Sequence, residues 1–256
     1  HFFAQTIQNG VYLALPIEKD QLAAALEGLY AIGAGGCNVT IPYKEAVLPY
    51  LTALTPAAQA CQAVNTLIPT AHGFVGDNTD GAGLLAALEY EQHWQPKGQT
   101  IAIIGAGGAA KGIAASMAMA EAGKLIIINR HKERAQALCS WLTQIAPVKA
   151  EAFDLSILAE AELYRTAHTF INTTSVGMSP HIDELPPVAI QWLTSTHLVI
   201  DIIYNPLETK LLRSARLQGA KTSSGLGMCI HQGALSFERW TGIRPQTTPL
   251  YAIRES

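Results

Sequence analysis

Charge is scarce in this chain of 256 residues: Lys, Arg, Asp and Glu make up 14% of it, against 49% hydrophobic residues. So apolar a composition excludes a disordered chain and supplies a sizeable core for one large domain or two modest ones. Runs of like charge are missing, and 17 basic against 20 acidic residues leave a formal net charge of −3. Without a basic stripe, nucleic acid is excluded as a dedicated partner. Cysteine is sparse. Cys37, Cys61, Cys139 and Cys229 lie far apart and form no CxxC pair. They read as buried thiols of a reducing, cytoplasmic compartment, and no zinc-ligand spacing points to a metal. Long apolar runs are missing too. The longest, Ile101 to Ala120, is rich in Gly and Ala and contains Lys111; it reads as strand, turn and helix, so no membrane partner is expected. Repeats and low-complexity tracts are absent. The first residue is His1 rather than Met, and no signal peptide precedes it, so the chain is expected to be shortened at its amino end.

What is present changes character along the chain. Asp20 to Tyr30 carries apolar residues at helical spacing, with Asp20 placed as N-cap. Cys37–Ile41 reads as a short strand stopped by Pro42, and Pro56–Ala63 as a helix capped by Thr55. From Thr100 onward, short Ile- and Val-rich runs (101–104, 125–128, 170–171 and 198–203) alternate with helical segments at 109–122, 132–145 and 207–217. Val148–Phe153 and Lys221–Ser224 are weaker strands. Buried strands alternating with helices predict a parallel sheet covered on both faces, a doubly wound α/β architecture. A helix is expected over Met228–Thr241.

Gly105-Ala106-Gly107-Gly108-Ala109-Ala110-Lys111-Gly112 follows a predicted strand and opens a predicted helix. Small residues there let the backbone turn tightly and approach a pyrophosphate, and the helix N-terminus supplies free N–H groups. The third motif position is Ala110, which departs from glycine. The context makes this a Rossmann dinucleotide site. At the end of the next strand an acidic residue would accept a ribose 2′-hydroxyl. This chain has Asn129-Arg130-His131-Lys132-Glu133-Arg134 instead. Arg130 and Arg134 are suited to a 2′-phosphate, which an acid at position 129 would repel, so NADP is the expected cofactor.

Polar clusters precede that half: Asn38–Lys44, Ala63–Thr66 and Gly76–Gly81. Oxidation of an alcohol by hydride transfer must also move the hydroxyl proton. Lys44 and Asp80 could form the acid–base pair, and Asn38, Thr40 and Asn65 could hold hydroxyls. Spacing alone leaves other readings open, with Lys44 a surface lysine after a proline turn and Asp80 the N-cap of a helix over Gly81–Tyr90.

In order, the motifs Asn38-Val39-Thr40-Ile41-Pro42-Tyr43-Lys44-Glu45, Ala63-Val64-Asn65-Thr66, Asp77-Asn78-Thr79-Asp80-Gly81, Gly105–Ala109, Asn129-Arg130, Asn172–Met178, Asp201-Ile202-Ile203-Tyr204-Asn205-Pro206, Gly225-Leu226-Gly227-Met228 and His231-Gln232-Gly233-Ala234 resemble the signatures of the shikimate dehydrogenase family over nearly the whole chain. The resemblance implies NADPH-linked, reversible reduction of 3-dehydroshikimate to shikimate, on the route to chorismate and the aromatic amino acids. It implies Lys44 and Asp80 as the catalytic pair, with Lys44 favoured for proton transfer. A lysine accepts a proton only when neutral, and a carboxylate beside it favours the ammonium form, so which of the two is the proton acceptor is left open. Thr40, Asn65, Asp80 and Gln232 are implied as ligands of substrate hydroxyls, and Tyr204 as a ligand near the substrate carboxylate. Gly105, Ala106, Gly107, Gly108, Ala109, Asn129, Arg130, Arg134, Thr173, Ser175, Gly225 and Met228 are implied at the cofactor.

The implied architecture is a Rossmann domain over residues 81–227 and a smaller α/β substrate domain made of residues 1–80 with 228–256. The active site is expected in the cleft between them. One departure stands out: the family has a further N-terminal strand and a serine-containing loop for the substrate carboxylate, and this chain starts just after them. The oligomeric state, monomer or homodimer, is open. So is activity on quinate, and so is a rival reading as an NAD-preferring quinate/shikimate dehydrogenase, against which Arg130 and Arg134 argue. A non-catalytic dinucleotide sensor on the same fold is a rival from another class. Gly81, Gly83, Gly225 and Gly227 sit where the chain would cross between domains, and serve either as hinges or as tight turns.

Overall fold

Two sheets organise the described residues, 1–6 and 8–252, of a computed structural model. Ile7 and residues 253–256, the latter the end of the expected substrate domain, lie outside the described residues. The first helix, α1 (Leu22–Ala31), buries Leu22 and Leu26. A 3-10 turn over Lys19–Gln21 precedes it and makes Gln21 the N-cap, so Asp20 does not cap it as expected. β1 covers Cys37–Asn38 only. It stops short of the expected Ile41 because the chain turns at once, with the Tyr43 N–H donating to the Thr40 carbonyl at 2.8 Å. β2 (Ala53–Leu54) leads into α2 (Pro56–Cys61), which Thr55 caps by accepting from the Ala58 N–H. A hairpin of β3 (Thr66–Thr70) and β4 (Gly73–Asp77) follows, and α3 (Asp80–Gln92) leaves it. The small sheet has the order β1-β3-β4-β2. Its core joins Leu22 and Leu26 to Val39, Val47, Ala58, Val64, Leu67 and Phe74.

The second sheet is parallel throughout. In chain order its elements are β5 (Thr100–Ile104), α4 (Gly108–Met119), β6 (Lys124–Ile128), α5 (Lys132–Ile145), β7 (Lys149–Phe153), α6 (Ala161–Thr166), β8 (Thr169–Asn172), β9 (Leu198–Asp201), α7 (Lys210–Leu217) and β10 (Lys221–Ser224). The spatial order β10-β9-β8-β5-β6-β7 reverses direction between β5 and β8. That reversal opens a crevice at the carboxyl ends of the strands, the place where such sheets bind dinucleotides. Alternation along each strand sorts the core. Ile101, Ile103, Leu125, Ile127 and Ile171 meet α3, α4 and α5 on one face. Ala102, Ile104, Ile126, Ile128 and Phe170 meet α6 and α7 on the other. The fold is α/β with a doubly wound sheet and a smaller mixed sheet, as the sequence predicts. No helix among the described residues is long and apolar enough to cross a membrane.

The last long helix, α8 (Gly225–Thr241), starts directly after β10, three residues before the expected Met228. A short α9 (Thr248–Tyr251) ends the description. α3 packs against both α4 and α8, and glycines make this approach possible. A Cβ on Gly81 would collide with Ser116 Oγ and stand 2.8 Å from the Gly112 carbonyl oxygen, and one on Gly83 would stand 2.7 Å from the Gln232 nitrogen. A Cβ on Gly225 would strike the Ile202 carbonyl oxygen, and one on Gly227 the Glu91 carboxylate. None of the four has a positive φ. They are therefore close-packing positions rather than points of backbone freedom.

Candidate active site

Asp80 stands at the first turn of α3, where a carboxylate is stabilised by the positive end of the helix. Thr79, not Asp80, is the N-cap, so the capping alternative for Asp80 fails. Lys44 lies on the loop after β1, anchored where the Val64 N–H donates to its carbonyl at 2.8 Å. Its Nζ donates to Asp80 Oδ2 at 2.6 Å, with side chains 21% and 7% exposed. A lysine so paired and covered is not a free surface lysine. Asn65 Nδ2 donates to Asp80 Oδ1 at 2.8 Å and to Gln232 Oε1 at 3.3 Å. Lys44, Asn65, Asp80 and Gln232 thus form one hydrogen-bonded cluster drawn from the loop after β1, the turn into β3, α3 and α8.

A second layer holds the first. Thr66 Oγ1 lies 2.7 Å from Ser236 Oγ, and Thr79 Oγ1 donates to the Gln232 carbonyl at 3.1 Å. Asn38, expected to hold a hydroxyl, spends its Nδ2 on the Asn65 carbonyl and on Ser236 Oγ, each at 3.0 Å. Arg239 Nε donates to the buried Asp77 Oδ2 at 2.9 Å, and Thr55 Oγ1 to Asp77 Oδ1 at 2.5 Å. Sequence reasoning missed Ser236 and Arg239. The available signal was helical phase, since Ser236 is one turn beyond Gln232. Thr40 and Tyr204 do not join the cluster: both are exposed, Tyr204 by 56% on the loop after β9.

Across from this cluster lies the glycine turn. Gly105 ends β5 with φ +119°, and any side chain there would collide with Thr173 Oγ1. Thr173 Oγ1 in turn donates to the Ile104 carbonyl at 2.7 Å, tying the segment after β8 to the turn after β5. Ser175 is exposed on that segment. The N-terminus of α4 has no side-chain cap, so its leading N–H groups have no intrahelical acceptor and point outward. Open space lies over Gly107. Arg130 and Arg134 are exposed beyond β6, and Asn129 Nδ2 donates to the His131 carbonyl at 2.9 Å. Uncapped donors, open space over Gly107 and two guanidinium groups fit a dinucleotide carrying an additional phosphate. Gly225 and Met228 contribute differently: Gly225 presses on the end of the β9 segment, and Met228 is buried in the core under the sheet. The two walls face each other, because a Cβ on Gly108 would stand 3.6 Å from Oε1 of Glu45, the residue after Lys44.

Two further groups are shaped by burial. Asp201, at the end of β9, accepts from Asn172 Nδ2 (3.1 Å), the Ile203 N–H (3.2 Å) and Thr209 Oγ1 (2.7 Å). Loss of water nevertheless pushes its carboxyl up to about 6. Burial likewise raises the Cys61 and Cys139 thiols to about 11, so neither is a thiolate nucleophile near neutral pH.

Comparison with known proteins places the chain in a family. The signature of the shikimate dehydrogenase substrate binding domain matches residues 1–67, that of shikimate / quinate 5-dehydrogenase residues 87–176, and that of the shikimate 5′-dehydrogenase C-terminal domain residues 225–252. The shikimate dehydrogenase (NADP(+)) of Moorella thermoacetica is 44% identical over 94% of this chain and 81% of its own length. The crystal structure of shikimate 5-dehydrogenase from Listeria monocytogenes, in complex with shikimate and NAD, superposes with a TM-score of 0.91 at 32% identity, over 98% of this chain and 88% of that one. That of the Thermus thermophilus enzyme, in complex with NADP(H) and shikimate, gives 0.78 at 31% identity, over 91% and 82%. The chain therefore belongs to the shikimate dehydrogenase family.

Proposed function

We propose that this chain catalyses the reversible, NADP-linked conversion of shikimate to 3-dehydroshikimate, in the biosynthesis of aromatic compounds. The observation that carries the reading is the pair of facing walls: the Lys44–Asp80 pair at 2.6 Å on one side, and the uncapped α4 turn on the other, with Glu45 next to Gly108. Residues 1–80 with 228–256 serve as the substrate unit, and residues 81–227 as the cofactor unit.

NADP supplies the hydride acceptor, and NADPH the donor in reverse. The leading N–H groups of α4 would hold the pyrophosphate, Arg130 and Arg134 the 2′-phosphate, and the backbone of the 173–175 segment the wall of the crevice. Asn65, Asp80 and Gln232 orient the substrate hydroxyls, with Thr40 and Tyr204 brought to the substrate from the rim. Lys44 Nζ, as the neutral amine, would take the hydroxyl proton during oxidation, and as the ammonium would return it to the carbonyl oxygen during reduction. Asp80 fixes Lys44 and balances its charge, and Asn65, held by Thr66 and Thr79, fixes Asp80. Holding these groups in advance lowers the entropic cost of reaction. The unpaired cysteines suit a cytoplasmic enzyme.

The test is a spectrophotometric panel of shikimate and quinate against NADP and NAD. Shikimate-dependent formation of NADPH is expected. Dinucleotide binding with no turnover of either acid would leave a sensor on this fold as the function.

A further inference from the structure

A shallow pocket of about 290 Å³ opens beside the glycine turn, lined by Ala106, Lys111, Arg134, Ala137, Leu138 and Trp141. Three elements meet there. The turn contributes Ala106, α4 contributes Lys111, and α5 contributes the rest. Arg134, Leu138 and Trp141 recur at helical spacing, so α5 offers one face with a cation at one end and an indole at the other. Lys111 Nζ stands 5.0 Å from the centroid of the Trp141 ring.

The charge in this pocket is uncompensated. Lys97, Lys124, Arg165, Arg216, Arg239 and Arg244 all have carboxylate partners. Among the described residues, Lys111, Arg130 and Arg134 have none, and neither do Lys19, Lys132, Lys149, Lys210, Arg213 and Lys221; Lys111 and Arg134 differ from these in sharing one pocket. Contact with an indole face attracts an ammonium through the ring quadrupole. It holds the charge in place without neutralising it. Holding Lys111 and Arg134 on one small pocket costs repulsion, and a dianion entering the pocket reverses that cost. A phosphate monoester is such a dianion, and it offers three acceptor oxygens to a lysine and to arginines.

We propose that Lys111 is a third cationic ligand of the 2′-phosphate, beside Arg130 and Arg134, and that Trp141 is its positioning residue. The inference rests on the NADP reading above. Lys111 sits on the helix that opens at the pyrophosphate cradle and shares its pocket with Arg134, so the two would meet the same phosphate. Its role is selectivity for NADP over NAD. Trp141 replaces the acidic partner that elsewhere fixes a lysine, and so keeps the cation directed into the pocket while leaving it unpaired.

Calorimetric titration of the intact chain with adenosine 2′,5′-bisphosphate and with adenosine 5′-monophosphate tests this without turnover. The wild type is expected to prefer the bisphosphate. Lys111→Ala should weaken bisphosphate binding about tenfold, the worth of one charge-assisted hydrogen bond, and leave monophosphate binding unchanged. Lys111→Arg should retain most of the preference. Trp141→Leu should lose part of it, and Trp141→Phe, which keeps an aromatic face, should restore it. Unchanged monophosphate binding shows that each variant has folded. Equal losses for both ligands, or a preference that survives Lys111→Ala, would overturn the role of Lys111. A preference that survives Trp141→Leu overturns the positioning role of Trp141. A wild type that binds both ligands equally would instead overturn the NADP reading itself.

Discussion

Replacing Asp201 by Asn should remove a pH dependence of stability that the fold builds in. Asp201 is buried and titrates near 6 rather than at its ordinary 3.8, because desolvation outweighs its three hydrogen bonds. A carboxyl with a raised folded value binds its proton more tightly in the folded chain than in the unfolded one. Its favourable contribution is therefore complete below the unfolded value and is lost as pH rises through the folded one. Between about pH 4 and pH 6 the wild type should lose up to about 3 kcal/mol that the amide does not lose. The amide oxygen can still accept from Asn172 Nδ2 and the Ile203 N–H. Thr209 Oγ1, which already accepts the Leu212 N–H at 3.4 Å, must turn to accept from the new amide nitrogen. Urea unfolding of both chains, repeated from pH 4 to pH 8, isolates the effect as a difference. Asn should gain on Asp across that window and then hold a constant lead. A difference that stays flat throughout would refute the argument. Asp201→Ala serves as control, since it strands the Asn172 and Ile203 donors and should destabilise at every pH.

Other substitutions test the site and its supports. Lys44→Ala should reduce kcat by about a hundredfold or more while NADP still binds with its original Kd; near-normal turnover would remove Lys44 from the mechanism. Arg130→Ala should raise KM for NADP about tenfold and barely alter that for NAD, as judged by initial rates with each cofactor. Gly81→Ala should destabilise by about 1–3 kcal/mol, because the methyl meets the Gly112 carbonyl as well as Ser116. Thermal unfolding would measure it, and adding Ser116→Ala should recover only part of the loss.

The sequence was most legible where burial leaves the least choice. Strands β5, β6, β8 and β9 are covered on both faces, so they stand out as apolar runs. β7 lies at the sheet edge and is half exposed, which is why Val148–Phe153 gave a weaker signal. The β3–β4 hairpin escaped notice because Pro69, Gly73 and Gly76 interrupt it. Its loop, Ala71-His72, also lacks the Asn-Gly or Asp-Gly pattern of tight hairpins. The early start of α8 runs through Gly225 and Gly227, poor helix formers, because packing against Ile202 and α3 outweighs propensity. The chemistry of Lys44, Asn65, Asp80 and Gln232 could be named from motifs. The pairing of Lys44 with Asp80 could be suggested too, but the contacts that α8 makes through Gln232, Ser236 and Arg239 could not, since partners 153–198 residues apart leave no local trace.

Those long separations set an order on the birth of the molecule. As the chain leaves the ribosome, β5 to β10 emerge as one uninterrupted stretch, residues 100–224, and can assemble their sheet while synthesis continues. The small sheet is made first but completed last. Asn38, Thr66 and Asp77 must wait for Ser236 and Arg239 on α8. Until α8 arrives, a buried acid, an amide and a threonine hydroxyl each lack one of their partners, and the cluster around Lys44 cannot take its final shape. A chain that stopped before α8 would thus lack the finished floor on which its chemistry rests.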